Sequence, residues 1–207
     1  MAGALVNPAL RVIYNESDAL MAQVSTSCRS GCWHCCCQLP VVFHDEAEAL
    51  AEAVVALPGW EALLPALRRD ALAAGDSGEE FFARGVPCAL LREDRTCSVY
   101  ASRPAACRYH FSDGNPEDCR TGRGGRNLRG DYQEQLAALG QRALAYLPRA
   151  GIRFGPLPLV LLWALRDRDH RRSVREATRG LPTPVRWHDL HGEAMTREIR
   201  ARQGKTP

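Results

Sequence analysis

Lysine is almost missing from this chain: of its 27 lysine and arginine residues, Lys205 alone is a lysine. Arginine favours planar contacts to carboxylate and phosphate, but a compositional bias produces the same pattern and is the simpler reading. Aromatic residues make up only 7% of the chain, and the net charge is just +3. So small a surplus does not call for a nucleic-acid or membrane partner. Long hydrophobic runs are also missing. The longest, Leu157 to Leu165, contains Pro158 and falls far short of the roughly 20 residues that span a bilayer. The opening MAGALVNPALRVIYNESD has no basic start and no unbroken apolar stretch, so no signal peptide is expected and a cytoplasmic location is. No glycine-rich GxGxxG turn follows a predicted strand, which disfavours a plain methyltransferase. No Ser-His-Asp set and no paired carboxylates stand out.

Cysteine is what the chain has in excess: nine in 207 residues. In a reducing compartment, dense cysteine points to metal binding or redox chemistry and not to a disulfide framework. Hydrophobic and charged contents of 45% and 25% are those of an ordinary globular chain, long enough to bury a real core.

Helical spacing dominates the rest. Leu10, Ile13, Tyr14, Leu20 and Met21 predict a first helix from Pro8 to Val24. Leu39 to Phe43 reads as a short extended segment. Asp45 with Glu48 three residues on predicts a capped helix over EAEALAEAVVAL, ended by Pro58-Gly59. Its acidic residues Glu46, Glu48 and Glu52 are placed on the exterior. Further helices are expected over 60–72 with Pro65 interrupting or starting it, 80–84, 131–147, 157–168, 171–179 and 189–203. Strands do not alternate with helices. The expected fold is mainly α, with an irregular Cys-rich metal-binding core and few short strands. The expected division is a Cys-cluster domain over 1–120 and a helical extension over 121–207, packed on it.

The cysteines form two groups: Cys28, Cys32, Cys35, Cys36 and Cys37, then Cys88, Cys97, Cys107 and Cys119. The short spacings of the first let several thiolates point into one small volume, as tetrahedral zinc or an iron–sulfur cluster requires. Gly31 permits the tight backbone this needs. A buried cysteine can instead serve as a small hydrophobe, and Cys37 is the readiest candidate.

The run CRSGCWHCC over 28–36 resembles the CxxxCxxCC signature of the YkgJ-like cysteine-cluster family of zinc- or iron-chelating domains. Pro87-Cys88-Ala89-Leu90-Leu91, Cys97-Ser98-Val99-Tyr100 and Arg103-Pro104-Ala105-Ala106-Cys107-Arg108 resemble that family's later elements in the same order. The resemblance covers about 28–120 and implies metal ligands at Cys28, Cys32, Cys35, Cys36, Cys88, Cys97 and Cys107, with Cys119 as an eighth. Cys37 has no counterpart in the pattern. A related pattern in the flagellin lysine methylases implies an iron–sulfur cluster. Seven or eight thiols exceed what one four-coordinate ion uses, so either there are two metal sites or one cluster takes four ligands and the rest are supporting or redox thiols. That excess and the methylase pattern favour a [4Fe-4S]-type cluster over zinc.

The expected function is therefore a Cys-ligated metal-binding protein with a cluster for electron transfer, sensing or metal handling, working with an unidentified protein or redox partner. The alternatives are a zinc-stabilised interaction module and a cluster-dependent enzyme. Cys28, Cys32 and Cys35 match the radical SAM spacing, but the chain lacks that class's strand–helix succession. Arg120, Arg123, Arg126 and Arg129 recur at every third position. They suit a polyanion, yet no aromatics interleave with them for base stacking, so nucleic acid is disfavoured. Arg103 and Arg108 flank Cys107 and are expected to offset thiolate charge. His34 and His110 are alternative ligands, and His188 and His191 are read as surface residues.

Overall fold

The computed structural model describes residues 8–23, 26, 28–29, 31–74, 84–108, 119 and 153–186, together with 134, 135, 138, 139, 141 and 142. The helix expected at 80–84 (save Arg84, which lies in a turn), the helix expected at 189–203, the arginine series 120–129, and His110, His188 and His191 lie outside these residues. Of the helix expected over 131–147, only scattered helical positions are described.

Helix α1 (Pro8–Met21) turns Leu10, Ile13, Tyr14, Ser17 and Leu20 to the interior, the i, i+3, i+4 stripe of a helix buried on one face. A 3₁₀ turn, His34–Cys37, carries three adjacent cysteines. Strand β1 (Val41–Phe43) then feeds directly into α2 (His44–Val55). This start corrects the expected cap at Asp45. Phe43 is the N-cap, and Glu46 reaches back to accept from its backbone N–H at 3.0 Å. A Glu at the third helical position satisfies an orphan donor in this way. The 3₁₀ turn Trp60–Leu63 leads into α3 (Leu64–Ala73), whose Pro65 lies in the first turn, where no intrahelical N–H is needed.

After Cys88 the chain makes a tight reversal. Asp94 Oδ1 accepts from the Thr96 backbone N–H at 2.9 Å, and Arg95 sits at φ 65°. The reversal brings Leu91 and Cys97 into an antiparallel bridge. A 3₁₀ turn, Tyr100–Ser102, and the single turn α4 (Ala105–Arg108) follow. Beyond residue 152 come β2 (Arg153–Pro156), α5 (Leu157–Arg168), α6 (Arg172–Thr178) and β3 (Val185–Arg186).

The three strands form one antiparallel sheet, β1-β2-β3, with Val42 opposite Gly155 and Phe154 opposite Val185. A Cβ on Gly155 would stand 3.2 Å from Val160 Cγ2, so β2 approaches α5 closely at this glycine. Helix α5 lies at the centre. Leu157, Val160, Leu161, Leu162, Ala164 and Leu165 are all buried, and the helix packs on α2, α3 and α6. A helix apolar on every side is stable only when it is surrounded. The mainly α architecture, with short strands and a Cys-rich irregular region, is thus the one expected. Among the described residues no helix is long and apolar enough to cross a membrane.

Candidate metal centre

The knot and the second cysteine series meet at the backbone. The Cys88 N–H donates to the Cys36 carbonyl at 2.8 Å, which pins the later segment to the 3₁₀ turn. Within the knot, Cys32 N–H donates to the Arg29 carbonyl at 2.9 Å and Cys36 N–H to the Trp33 carbonyl at 2.8 Å. Gly31 at φ 82° makes the first of these turns possible. A left-handed residue there is cheap only for glycine. Cys107 is presented by α4, whose first turn closes on Pro104: the Cys107 and Arg108 N–H groups donate to its carbonyl at 3.0 and 3.1 Å.

These contacts bring the thiols into one electrostatic neighbourhood. A hydrogen bond from Cys36 lowers the Cys35 thiol to about 7, with help from backbone N–H groups and the Arg103 guanidinium. The same bond, then burial, drives Cys36 upward, and negative charge on Cys35, Cys88 and Cys107 adds to the rise. Burial raises Cys88 to about 11, with the charges of Cys97, Asp70 and Cys37 adding to it. Burial likewise raises Cys107, reinforced by Cys88, Cys35 and Cys97. Cys97 is raised by burial too, and feels Cys35, Arg92 and Arg103. At the rim, burial raises Cys32, which senses Cys28 and Cys35.

Eight of the cysteines expected as ligands are therefore placed as follows. Cys35, Cys36, Cys88, Cys97 and Cys107 form the electrostatically linked set, Cys32 and Cys28 adjoin it, and Cys119 is half-buried. Cys37 is the fully buried one, at 6% exposure. All nine are free thiols.

The two arginines around Cys107 divide their work. Arg103 acts on Cys35, Cys97 and Cys107 as expected, while its guanidinium lies 3.5 Å over the Tyr100 ring. Arg108 turns away from the thiols. It is buried and donates to both Asp18 oxygens at 2.6 Å, to the Ala101 carbonyl at 2.7 Å and to the Arg103 carbonyl at 2.7 Å, with the Tyr14 ring 4.5 Å beneath it. His34 stacks on Trp33 with ring centroids 5.2 Å apart, and Arg95 covers the same indole at 5.7 Å.

Two buried carboxylates were not singled out as site residues. Glu46, expected on the helix exterior, is 2% exposed and accepts from Ala105 N–H at 2.7 Å and from the Tyr14 hydroxyl. Burial pushes its carboxyl up against the pull of these donors. The signal was present in the spacing: Glu46, Leu50 and Val54 share one face at four-residue steps. Asp70, held by Arg69 at 2.7 Å, lies 5% exposed with its charge felt by Cys88.

The donor chemistry suits a thiophilic metal, since soft thiolates select zinc and iron–sulfur clusters. The fit is one of donor type and convergence. Among the described residues, no three His, Cys, Asp or Glu side chains already stand in a ligating arrangement. Two chain segments thus gather cysteines around the Arg103 side chain, the arrangement of a cysteine cluster. Residues 27–123, a little under half of the chain, are similar to the family model CxxCxxCC, whose description reads "Putative zinc- or iron-chelating domain". No curated protein and no solved structure matches the chain.

Proposed function

We propose that this protein holds an iron–sulfur cluster of the [4Fe-4S] type, used to move electrons, to sense redox state or to handle metal together with a protein partner. The observation that carries the reading is the number of thiols, from two chain segments, within electrostatic reach of one another. Cys35, Cys36, Cys88, Cys97 and Cys107 are linked through their ionisation, one more than a single tetrahedral zinc can use. Four thiols drawn from these five and from Cys28, Cys32 and Cys119 would hold the group, with the rest as supporting or redox thiols. When bound, it would supply one-electron chemistry at a potential set by charge, hydrogen bonds to sulfur and solvent exposure.

The residues present already supply two of those controls. The Leu90 backbone N–H points at Cys88 Sγ at 3.5 Å. Arg103 places a positive charge against Cys35, Cys97 and Cys107, which favours their thiolate forms and offsets the negative charge of an all-thiolate site.

The test is purification without oxygen, followed by assay of iron, sulfide and zinc per chain and an absorption spectrum. Iron and sulfide in equal amounts, with a broad band at about 400 nm from thiolate-to-iron charge transfer, are expected. A colourless chain holding zinc in place of iron would overturn the cluster and leave a zinc-stabilised module.

A further inference from the structure

We infer that Glu46 is the positioning residue of the metal centre, a buried carboxylate that sets Cys107 in place by holding the turn that presents it. The inference rests on the metal-binding reading and deepens it. Glu46 lies on α2, remote in sequence from every cysteine of the second series. Its Oε1 nevertheless accepts from the Ala105 N–H, 2.7 Å away, at the head of the turn Ala105–Arg108 that carries Cys107. The same oxygen accepts from the Tyr14 hydroxyl on α1. Its Oε2 accepts from the Phe43 N–H at 3.0 Å, at the end of the strand that follows the knot.

One side chain thus ties together α1, which precedes the knot, the strand after it, and the arm bearing Cys107. A turn of four residues cannot hold its own geometry by intrahelical bonds, because nearly all of its N–H groups are orphans. Pro104 supplies the carbonyl that two of those groups use. Glu46 supplies the acceptor for the Ala105 N–H. Arg108, at the other end of the turn, anchors to Asp18 and to the Ala101 and Arg103 carbonyls, so the cysteine is clamped from both sides. Donors aimed at a buried acceptor from three chain segments fix its direction closely. Partners of this kind, one step removed from a ligand, alter metal affinity by about 10–100-fold when lost.

The experiment loads the reduced full chain with cobalt(II) and reads the thiolate-to-cobalt absorption, which scales with the number of coordinating thiolates. Glu46→Gln keeps an oxygen for Tyr14 and Ala105 and should retain the wild-type band. Glu46→Leu fills the space but leaves the donors without a partner. It should show the weaker band of Cys107→Ser and bind cobalt about 10-fold less tightly or worse. If Glu46→Leu does not fold, Glu46→Asp, too short to reach Ala105 and Phe43 together, should give the same loss. Val174→Ala, a core change on α6, should lower stability without lowering the band.

A wild-type band in Glu46→Leu, an equal loss in Glu46→Gln, or an equal loss in Val174→Ala would overturn the inference. Alkylation of Cys107 in the metal-free chain, followed by peptide mass spectrometry, separates the two claims. Wild type that takes up no cobalt sinks the metal reading, whereas an unchanged Cys107 alkylation rate in Glu46→Leu sinks the positioning role.

Discussion

Replacing Arg108 with methionine removes a cation that structure, not sequence, identifies as a structural anchor. Its side chain is 5% exposed, whereas its partner Asp18 is 55% exposed. The carboxylate left behind is therefore re-solvated at little cost, and the penalty falls on the two carbonyls, of Ala101 and Arg103, that lose a charged donor. Both carbonyls are part-buried, so leaving each short of its donor costs no more than about 1–3 kcal/mol, and methionine recovers part of the stem's packing on Tyr14. The sum is about 2–4 kcal/mol, below the 3–5 kcal/mol typical when one partner of a fully buried pair is removed. Urea denaturation of the reduced, metal-free chain, followed by far-UV circular dichroism, reads this directly. With a slope of about 2 kcal/mol per molar, the midpoint should fall by about 1–2 M. Asp18→Asn should cost less, because the guanidinium keeps both carbonyls and the nearby Glu46. A midpoint shift under about 0.3 M, or an Asp18→Asn loss as large as that of Arg108→Met, would refute the reasoning.

The metal-free chain should be most stable at about pH 8, near the ordinary thiol pKa of about 8.5. Cys35, lowered to about 7, contributes stability that is present above the unfolded value and lost as pH falls through 7. Cys88, raised to about 11, and the raised Cys36 and Cys107 contribute stability that is present below the unfolded value and lost as pH climbs towards 11. Thermal unfolding between pH 7 and 10.5 checks both limbs, and a steady rise across that range would contradict the assignment. Cys37→Ala should leave metal content unchanged while Cys107→Ser lowers it, read by metal analysis of the purified variants. Gly31→Ala forces a left-handed residue to carry a Cβ and should cost about 1–2 kcal/mol in the same urea assay, with weaker metal uptake. An unchanged midpoint would mean that the turn relaxes freely.

Much of the helical scaffold was legible because its periodicity is strong. Leu10, Ile13 and Tyr14 mark α1, and the apolar run from Leu157 marks α5 within a residue or so of its bounds. The sheet was less so: β1 was legible as a short extended segment, but Arg153–Pro156 and Val185–Arg186 are too short to show an alternating pattern and exist because they pair with their neighbours. The cysteine spacing pointed to the tight turns of the knot, and the left-handed conformation of Gly31 followed from that tightness. The polar frame behind it was hidden for a different reason. Glu46 looked like one more acidic residue of a capped helix, since the cap was placed at Asp45. Moving the helix start to His44 turns the carboxylate inward along the face of Leu50 and Val54. Arg108 looked like a counter-charge to thiolate because it adjoins Cys107 in sequence, yet on a single helical turn adjacent side chains diverge, and of these two arginines Arg103 is the one that bears on the thiols.

The central claim is that the knot and the later cysteines share one thiolate-ligated metal centre. X-ray absorption at the metal edge of the anaerobically isolated protein tests it most directly, with Cys35→Ser and Cys97→Ser measured alongside. The account predicts a shell of sulfur at about 2.3 Å in the wild type and a reduced sulfur count or lost metal in both variants. A shell fitted by nitrogen and oxygen, or a sulfur count that Cys97→Ser leaves untouched, would contradict it.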